Sequence, residues 1–223
     1  MKIGIIIAMD KEMSGIMSIA SEVERLTHSS LYEVYRARYG DKMLYIVKSG
    51  IGEIAAAAAT QYLITAYGTD IILNFGVCGK LNPELKVLQT VAVSSVVHYQ
   101  HDLSDIDNVP VGYYEEYKSV NIPTAKHLID IAVSADGDLK TAVCASGDKY
   151  IDKKEDRQRL FRDFNADVCE MEAAGVLLTC NRNNTPCLII KSISDDETMS
   201  YNEFSIIAAG RHTGLIEAIL KKL

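Results

Sequence analysis

The sequence predicts an α/β fold in one domain over residues 1–223, a three-layer α/β/α arrangement with a mixed central sheet. Three observations predict it. Short apolar runs rich in β-branched residues, such as "KIGIIIAM" (2–9) and "PCLIIKSISD" (186–195), read as strands buried on both faces. Segments with helical spacing separate them, the alternation expected of a sheet covered on both sides. No internal repeat, low-complexity tract or linker divides the 223 residues, a length that suits one sizeable core.

Taken in order, the run at 2–9 is a buried strand and "DKEMSGIMSIASEV" (10–23) has helical spacing. Residues 31–40 and 43–50 read as paired strands with a turn at Gly40-Asp41. The alanine-rich stretch 53–68 is a strong helix stopped by Gly68. Strands follow at 70–79 and 90–100, then a polar, tyrosine-rich segment, 102–120, that reads as a long loop. A helix at 124–135, a strand at 139–148 and an acidic-basic surface helix at 154–164 come next. Residues 168–183 read as a strand entering a helix, 186–195 as the final strand and 202–223 as the closing helix.

Hydrophobic residues make up 48% and charged residues 24%, as expected of a folded globular chain. Thirty acidic against 23 basic side chains give a net charge of −7, and no Lys/Arg cluster interrupts that balance. This argues against a nucleic-acid surface and favours a small, nucleoside-sized partner. The five cysteines form no C-x-x-C pair and several lie in apolar runs, so they read as reduced intracellular thiols. The histidines lack ligand spacing, and His101-Asp102 reads as a loop pair; neither a metal nor a cofactor is expected. The first apolar run is too short for a signal peptide and is followed by the acidic "DKEM". No stretch reaches the length of a membrane span, so a cytoplasmic protein is expected.

One stretch, "VCEMEAAGV" (168–176), raises a question of its own: why does a core-like segment carry Glu170 and Glu172? They could ride on the wet face of a helix. As a strand end, the segment would instead point both glutamates one way and Met171 the other. In sheets of this kind ligands collect at the carboxyl ends of strands. The residues after each predicted strand are "AMDKEM", "SGIGE", "GVCGK", "SGDKYI", "CEMEA" and "SISDD". Singly, a glycine turn is geometry and an aspartate at a strand end is a cap. Together they set Glu12, Glu172 and Asp195 on one rim with Tyr150, a pocket with acid/base capacity.

In order and spacing these motifs, with "KSGIGEIAAA", "NFGVCGKLNPELKV" and "NEFSIIAA", resemble the 5′-methylthioadenosine/S-adenosylhomocysteine nucleosidases of the purine nucleoside phosphorylase superfamily. The similarity runs along almost the whole chain. It implies a nucleoside phosphorylase/hydrolase-like fold and hydrolysis of the N-ribosidic bond with release of adenine. By the same resemblance, Glu12 activates the attacking water and Asp195 protonates N7 of the base. Its neighbours Asp196 and Glu197 would help keep that proton on. Glu172 would hold the ribose hydroxyls while Met171 packs on the sugar, leaving Glu170 as a buried support. Tyr150 would stack on the base and the Ile151 backbone read its edge, with Met9, Ile51 and Phe204 lining the pocket for the 5′ substituent. Val77 and Ser194 belong to the same pocket.

Three positions depart from the family pattern: Val77 for a serine, Lys191 for an arginine and Ile7 for a glycine. A phosphorylase is the first alternative, but its phosphate loop is absent and Asn74 stands where an arginine is usual. A catalytically impaired nucleoside-binding protein of the same fold is the second. The resemblance further implies a homodimer. The 102–118 loop, with Val109, Val111, Tyr113, Tyr114 and Tyr117, would complete the partner's pocket or, failing that, close as a lid over its own.

Overall fold

The computed structural model describes residues 1–26, 32–196 and 201–223; along 201–212 it describes the backbone, and the side chain of Ile207 alone. Its strands are β1 (Lys2–Ile7), β2 (Ser21–Leu26), β3 (Glu33–Tyr39), β4 (Lys42–Lys48), β5 (Ile71–Lys80), β6 (Thr90–His98), β7 (Ile122–Pro123), β8 (Lys140–Ser146), β9 (Val168–Glu170) and β10 (Cys187–Asp195). The helices are α1 (Asp10–Ile19), α2 (Glu53–Tyr67), α3 (Ser104–Asp107), α4 (Lys126–Ala135), α5 (Lys154–Phe164), α6 (Ala173–Arg182) and α7 (Tyr201–Lys222).

The sheet is mixed, in the order β10-β6-β8-β9-β5-β1-β4-β3-β2. Strand β10 also pairs with β5, so β5, β9, β8, β6 and β10 close on themselves instead of forming an open sheet. Strands β1, β4, β5 and β10 are parallel neighbours, which requires helical crossovers and explains their near-continuous apolar sequences. One face packs on α2 and α6 through Ala56, Leu63, Val176 and Leu177 against Ile72, Ile189 and Ile193. The other packs on α1, α4 and α7, with Met13, Ile16, Leu128 and Ile219 against Leu73, Phe75 and Ile190. Helix α5 adds a third cluster, Leu160 with Ala145 and Cys169. Ile7 lies fully within the core. All five cysteines are buried free thiols.

Two expectations are corrected. Helix α1 stops at Ile19, and the residues beyond it form the edge strand β2. "SEVERL" is charged and exposed, so its burial gives no strand signal; pairing with β3 and cross-strand ion pairs hold it, Glu24 with Arg36 at 2.5 Å and Glu22 with Arg38 at 2.8 Å. The 102–120 segment is not wholly irregular: it carries α3 and a Tyr114–Ser119 bridge. Tyr114 is buried in its own chain, bonded to His98 Nδ1 at 2.8 Å and stacked on His101. Among the described residues no helix is long and apolar enough to cross a membrane.

Candidate active site

The ends of β1, β5, β9 and β10 meet around a cavity of about 570 Å³. Met9, Ile51, Val77, Tyr150, Ile151, Met171, Glu172, Ser194 and Asp195 all line it, so nine of the eleven sequence-predicted site residues share one wall. Of the remaining two, Phe204 has its side chain outside the described residues. Glu12 stands just behind the wall and is 3% exposed.

Glu12 is the third residue of α1, and its carboxylate accepts two backbone N–H groups, Met9 at 3.1 Å and Val77 at 3.1 Å. The first is a capping-box bond that would by itself suffice for a structural glutamate. The second ties the side chain to β5, and each oxygen keeps a lone pair for a further donor. Burial pushes the Glu12 carboxyl up, against the pull of Lys191 and the two N–H groups.

The two glutamates of "CEMEA" do different work. Strand β9 ends at Glu170 and Glu172 is the N-cap residue of α6, so strand alternation does not reach Glu172. Met171 therefore faces the cavity together with both glutamates, contrary to the expectation that it points away. Glu170 accepts the N–H groups of Glu172 and Ala173 at 3.0 Å and pairs with Lys191 Nζ at 2.8 Å. Burial alone would raise Glu170; the Lys191 ammonium and the Ala173 N–H outweigh it and hold the carboxyl below its ordinary value. Glu172 lacks such a partner. Burial and then the Glu170 charge push it up to about 7. It accepts one N–H, from Gly52 at 3.1 Å, and Gly52 aims that group from a φ of 103° that a side-chain-bearing residue rarely adopts. The next helical turn needs Gly175, since a Cβ there would run into the Glu53 carbonyl of α2.

Asp195 sits further along this rim, at the end of β10. An irregularity in β10 between Ile193 and Asp195 lets Lys191 pair with Gly76 and Asp195 with Gly79, three residues apart on β5. An odd offset turns the two side chains to opposite faces. Asp195 Oδ1 accepts the Ser194 hydroxyl at 2.6 Å, and Oδ2 accepts Arg157 Nη2 in a buried ion pair. Asp196, expected to add negative charge beside Asp195, is instead taken by Lys80 at 3.0 Å; Glu197 lies outside the described residues.

Arg157 was missed in the sequence because α5 reads as a surface helix. The signal is there in its spacing: Arg157, Leu160, Phe161 and Phe164 fall on one inward face at i, i+3, i+4 and i+7. Lys191 was noted only as a departure, and its position at the centre of Glu12, Glu170 and Glu172 could not be read from β10 alone. Among the described residues no cluster of three His, Cys, Asp or Glu side chains is arranged to hold a metal ion.

A closed mixed sheet carrying a carboxylate-rich cavity at its strand ends defines a class, and the chain belongs to it: the phosphorylase superfamily, whose family model matches residues 2–221. Within that class it is 34% identical to a 5′-methylthioadenosine/S-adenosylhomocysteine nucleosidase of Halalkalibacterium halodurans, over 100% of this chain and 99% of the relative. It is 30% identical to an aminodeoxyfutalosine nucleosidase of Helicobacter pylori strain J99, again over 100% and 99%. A solved structure of the Helicobacter pylori 5′-methylthioadenosine/S-adenosyl homocysteine nucleosidase superimposes with a TM-score of 0.93 at 29% identity, covering 100% of this chain and 98% of the other.

Proposed function

We propose that the chain hydrolyses the N-ribosidic bond of 5′-methylthioadenosine and S-adenosylhomocysteine, releasing adenine. That it is a nucleoside N-glycosyl hydrolase rests on its relatives, which are named nucleosidases across their full length. The observation that favours water over phosphate is charge. Carboxylates outnumber cations at and just behind the cavity wall, and among the described side chains each cation there is already paired: Lys191 with Glu170, Arg157 with Asp195 and Lys149 with Asp156. Among those side chains a phosphate would meet repulsion and find no open guanidinium or ammonium. Asn74 is buried and donates to the Ile6 carbonyl at 3.1 Å.

In this reading the C1′–N9 bond breaks and its electron pair passes to the base, while a proton moves from Asp195 to N7. Water's oxygen bonds to C1′ and its proton goes to Glu12. One nucleoside and one water become adenine and a 5-substituted ribose, with Asp195 left ionised and Glu12 protonated until both exchange with solvent. Positive charge on the sugar is stabilised by Glu170 and Glu172, and negative charge on the base by the acid. Glu172 binds the ribose hydroxyls beside Met171, and Tyr150 and Ile151 hold the base. Met9, Ile51 and Phe204 receive the 5′ group, with Val77 and Ser194 completing the walls. Free adenine and free 5-methylthioribose, formed equally with and without phosphate, are the expected products. A phosphate requirement with a sugar 1-phosphate product would make it a phosphorylase, and binding without turnover a nucleoside-binding protein. 6-Amino-6-deoxyfutalosine belongs in the same assay, given the second relative's name.

The assembly we propose is a homodimer formed over the cavity mouth. Ile51 lines the cavity yet is 60% exposed, Ile54 beside it is 81% exposed and Ile106 in the 102–118 segment is 79% exposed. Exposed apolar groups of this size, with Ile51 at the cavity itself, suit coverage by a second copy. Sedimentation of the purified chain tests it, with a monomer at micromolar concentration as the contrary result.

A further inference from the structure

We infer that Arg157, through its buried ion pair with Asp195, is a positioning residue that aims the base-side acid and supplies the charge that faces it. The inference rests on the proposed role of Asp195 as proton donor. Arg157 is 2% exposed and does not line the cavity, so it acts on substrate only through the aspartate. Its guanidinium is anchored twice: Nη1 donates to the Lys80 carbonyl at 3.1 Å, and Nη2 donates to Asp195 Oδ2. Its Nε has no partner among the described residues, so the fork is spent on the strand end and the carboxylate alone. With the Ser194 hydroxyl on Oδ1, Asp195 is gripped on both oxygens, which restricts the carboxyl to one orientation at the cavity wall.

Among the described side chains, the groups that face Asp195 come from several elements. Cys78 and Gly79 lie on β5, Cys169 on β9, Tyr150 on the segment before α5, Ser194 on its own strand and Arg157 on α5. Lys80 is occupied by Asp196. Among the described side chains only Arg157 brings a positive charge into contact. A guanidinium there stabilises the carboxylate that Asp195 becomes after giving up its proton.

The test is the pH dependence of kcat for adenine release in wild type, Arg157→Met, Arg157→Gln and Arg157→Lys, with Asp195→Asn alongside. Loss of the charge should carry the alkaline limb upward by about 1–3 pH units in the Met and Gln variants. Arg157→Lys should retain the wild-type limb. Either neutral variant suffices if the other does not fold. A merely structural arginine would lower the amplitude and leave the limb in place. The inference is overturned if both neutral variants keep the wild-type limb, or if Arg157→Lys moves as far as they do. An inactive Asp195→Asn with an unmoved limb defeats Arg157 alone; an Asp195→Asn variant as fast as wild type defeats the acid assignment and this inference with it.

Discussion

The two sides of the cavity handle buried carboxylates in opposite ways. On the side proposed to hold the sugar three of them, Glu12, Glu170 and Glu172, share the buried ammonium of Lys191. On the side proposed to hold the base, Asp195 is paired with Arg157. Burial leaves Glu12 and Glu172 raised, Glu172 to about 7, while Glu170 takes the contact with Lys191 and is held below its ordinary value. The matched pair on the other side holds Asp195 in place by both carboxylate oxygens, with Ser194 on one and Arg157 on the other. Charge supply thus separates one rim into two chemistries.

The largest way to break the comparison is to remove the reacting groups. Asp195→Asn keeps the shape and loses the proton, so kcat should fall on the order of 10²–10⁴-fold with KM little changed. Glu12→Gln should fall comparably, because the other carboxylate at the end of β1, Asp10, is exposed and paired with Lys48 at 2.7 Å. Steady-state adenine release checks both, and near-wild-type kcat in either variant removes that residue from the mechanism.

Lys191→Met probes the shared cation. Glu170 would remain fully surrounded and uncompensated, a loss of about 3–5 kcal/mol by denaturant unfolding. Arg157→Met should cost less stability than this, because loss of Lys191 leaves Glu170 and Glu172 facing each other's charge. If the two variants unfold at the same denaturant concentration, the supposed asymmetry in charge supply is absent.

Glu172→Gln sharpens the contrast with an effect that depends on pH. The folded carboxyl sits at about 7, above the ordinary glutamate value of 4.5. A raised carboxyl contributes its stability in full below 4.5, and that contribution is lost as pH rises through 7. Glutamine carries no such dependence and can still accept the Gly52 N–H. The variant should therefore be more stable than wild type at pH 8 by roughly 1–3 kcal/mol, with the gain vanishing near pH 4. Activity should fall, because the ribose loses an anionic acceptor. Melting curves that differ equally at both pH values would rule out the charge explanation.

Much of this was legible in the sequence, and the rest was hidden for physical reasons. Parallel strands buried on both faces announce themselves as apolar runs, so β1, β5 and β10 and the residues after them were readable. The edge strand β2 was not, because exposed pairing leaves no apolar trace. Closure of β10 onto both β5 and β6 is a long-range choice that no local pattern encodes. Tyr114 reads as an interface or lid residue because its partners within the chain, His98 and His101, are reached only once the loop folds back. At the site, the carboxylates were visible and their counter-ions were not. Arg157 is one arginine in a helix of charges, and its role depends on which face turns inward.

The smallest perturbation compares the two sides by the same substitution on the same strand. Alanine at Gly76 would set a Cβ 3.0 Å from Glu12 Oε1 and 3.4 Å from Lys191 Nζ, on the sugar side. Alanine at Gly79 would set one 2.9 Å from Arg157 Nη1, 3.1 Å from Cys169 Sγ and 3.3 Å from Asp195 Oδ2, on the base side. Neither methyl meets backbone among these contacts, so both variants should fold, each with a loss of about 1–3 kcal/mol from local crowding. Their kinetics should differ. At Gly76 the neighbours are a capped glutamate and a lysine in a cluster with charge to redistribute, and small shifts leave the carboxylates near one another. At Gly79 the methyl pushes between a guanidinium anchored at Lys80 and the carboxylate that it grips, so the pair must lengthen. Gly79→Ala should thus lower kcat by about tenfold, near 1.4 kcal/mol, and carry the alkaline limb part of the way toward that of Arg157→Met. Gly76→Ala should leave that limb where it is. Equal pH profiles in the two alanine variants would mean that the ion pair tolerates stretching, and that contact with Arg157 does not govern Asp195.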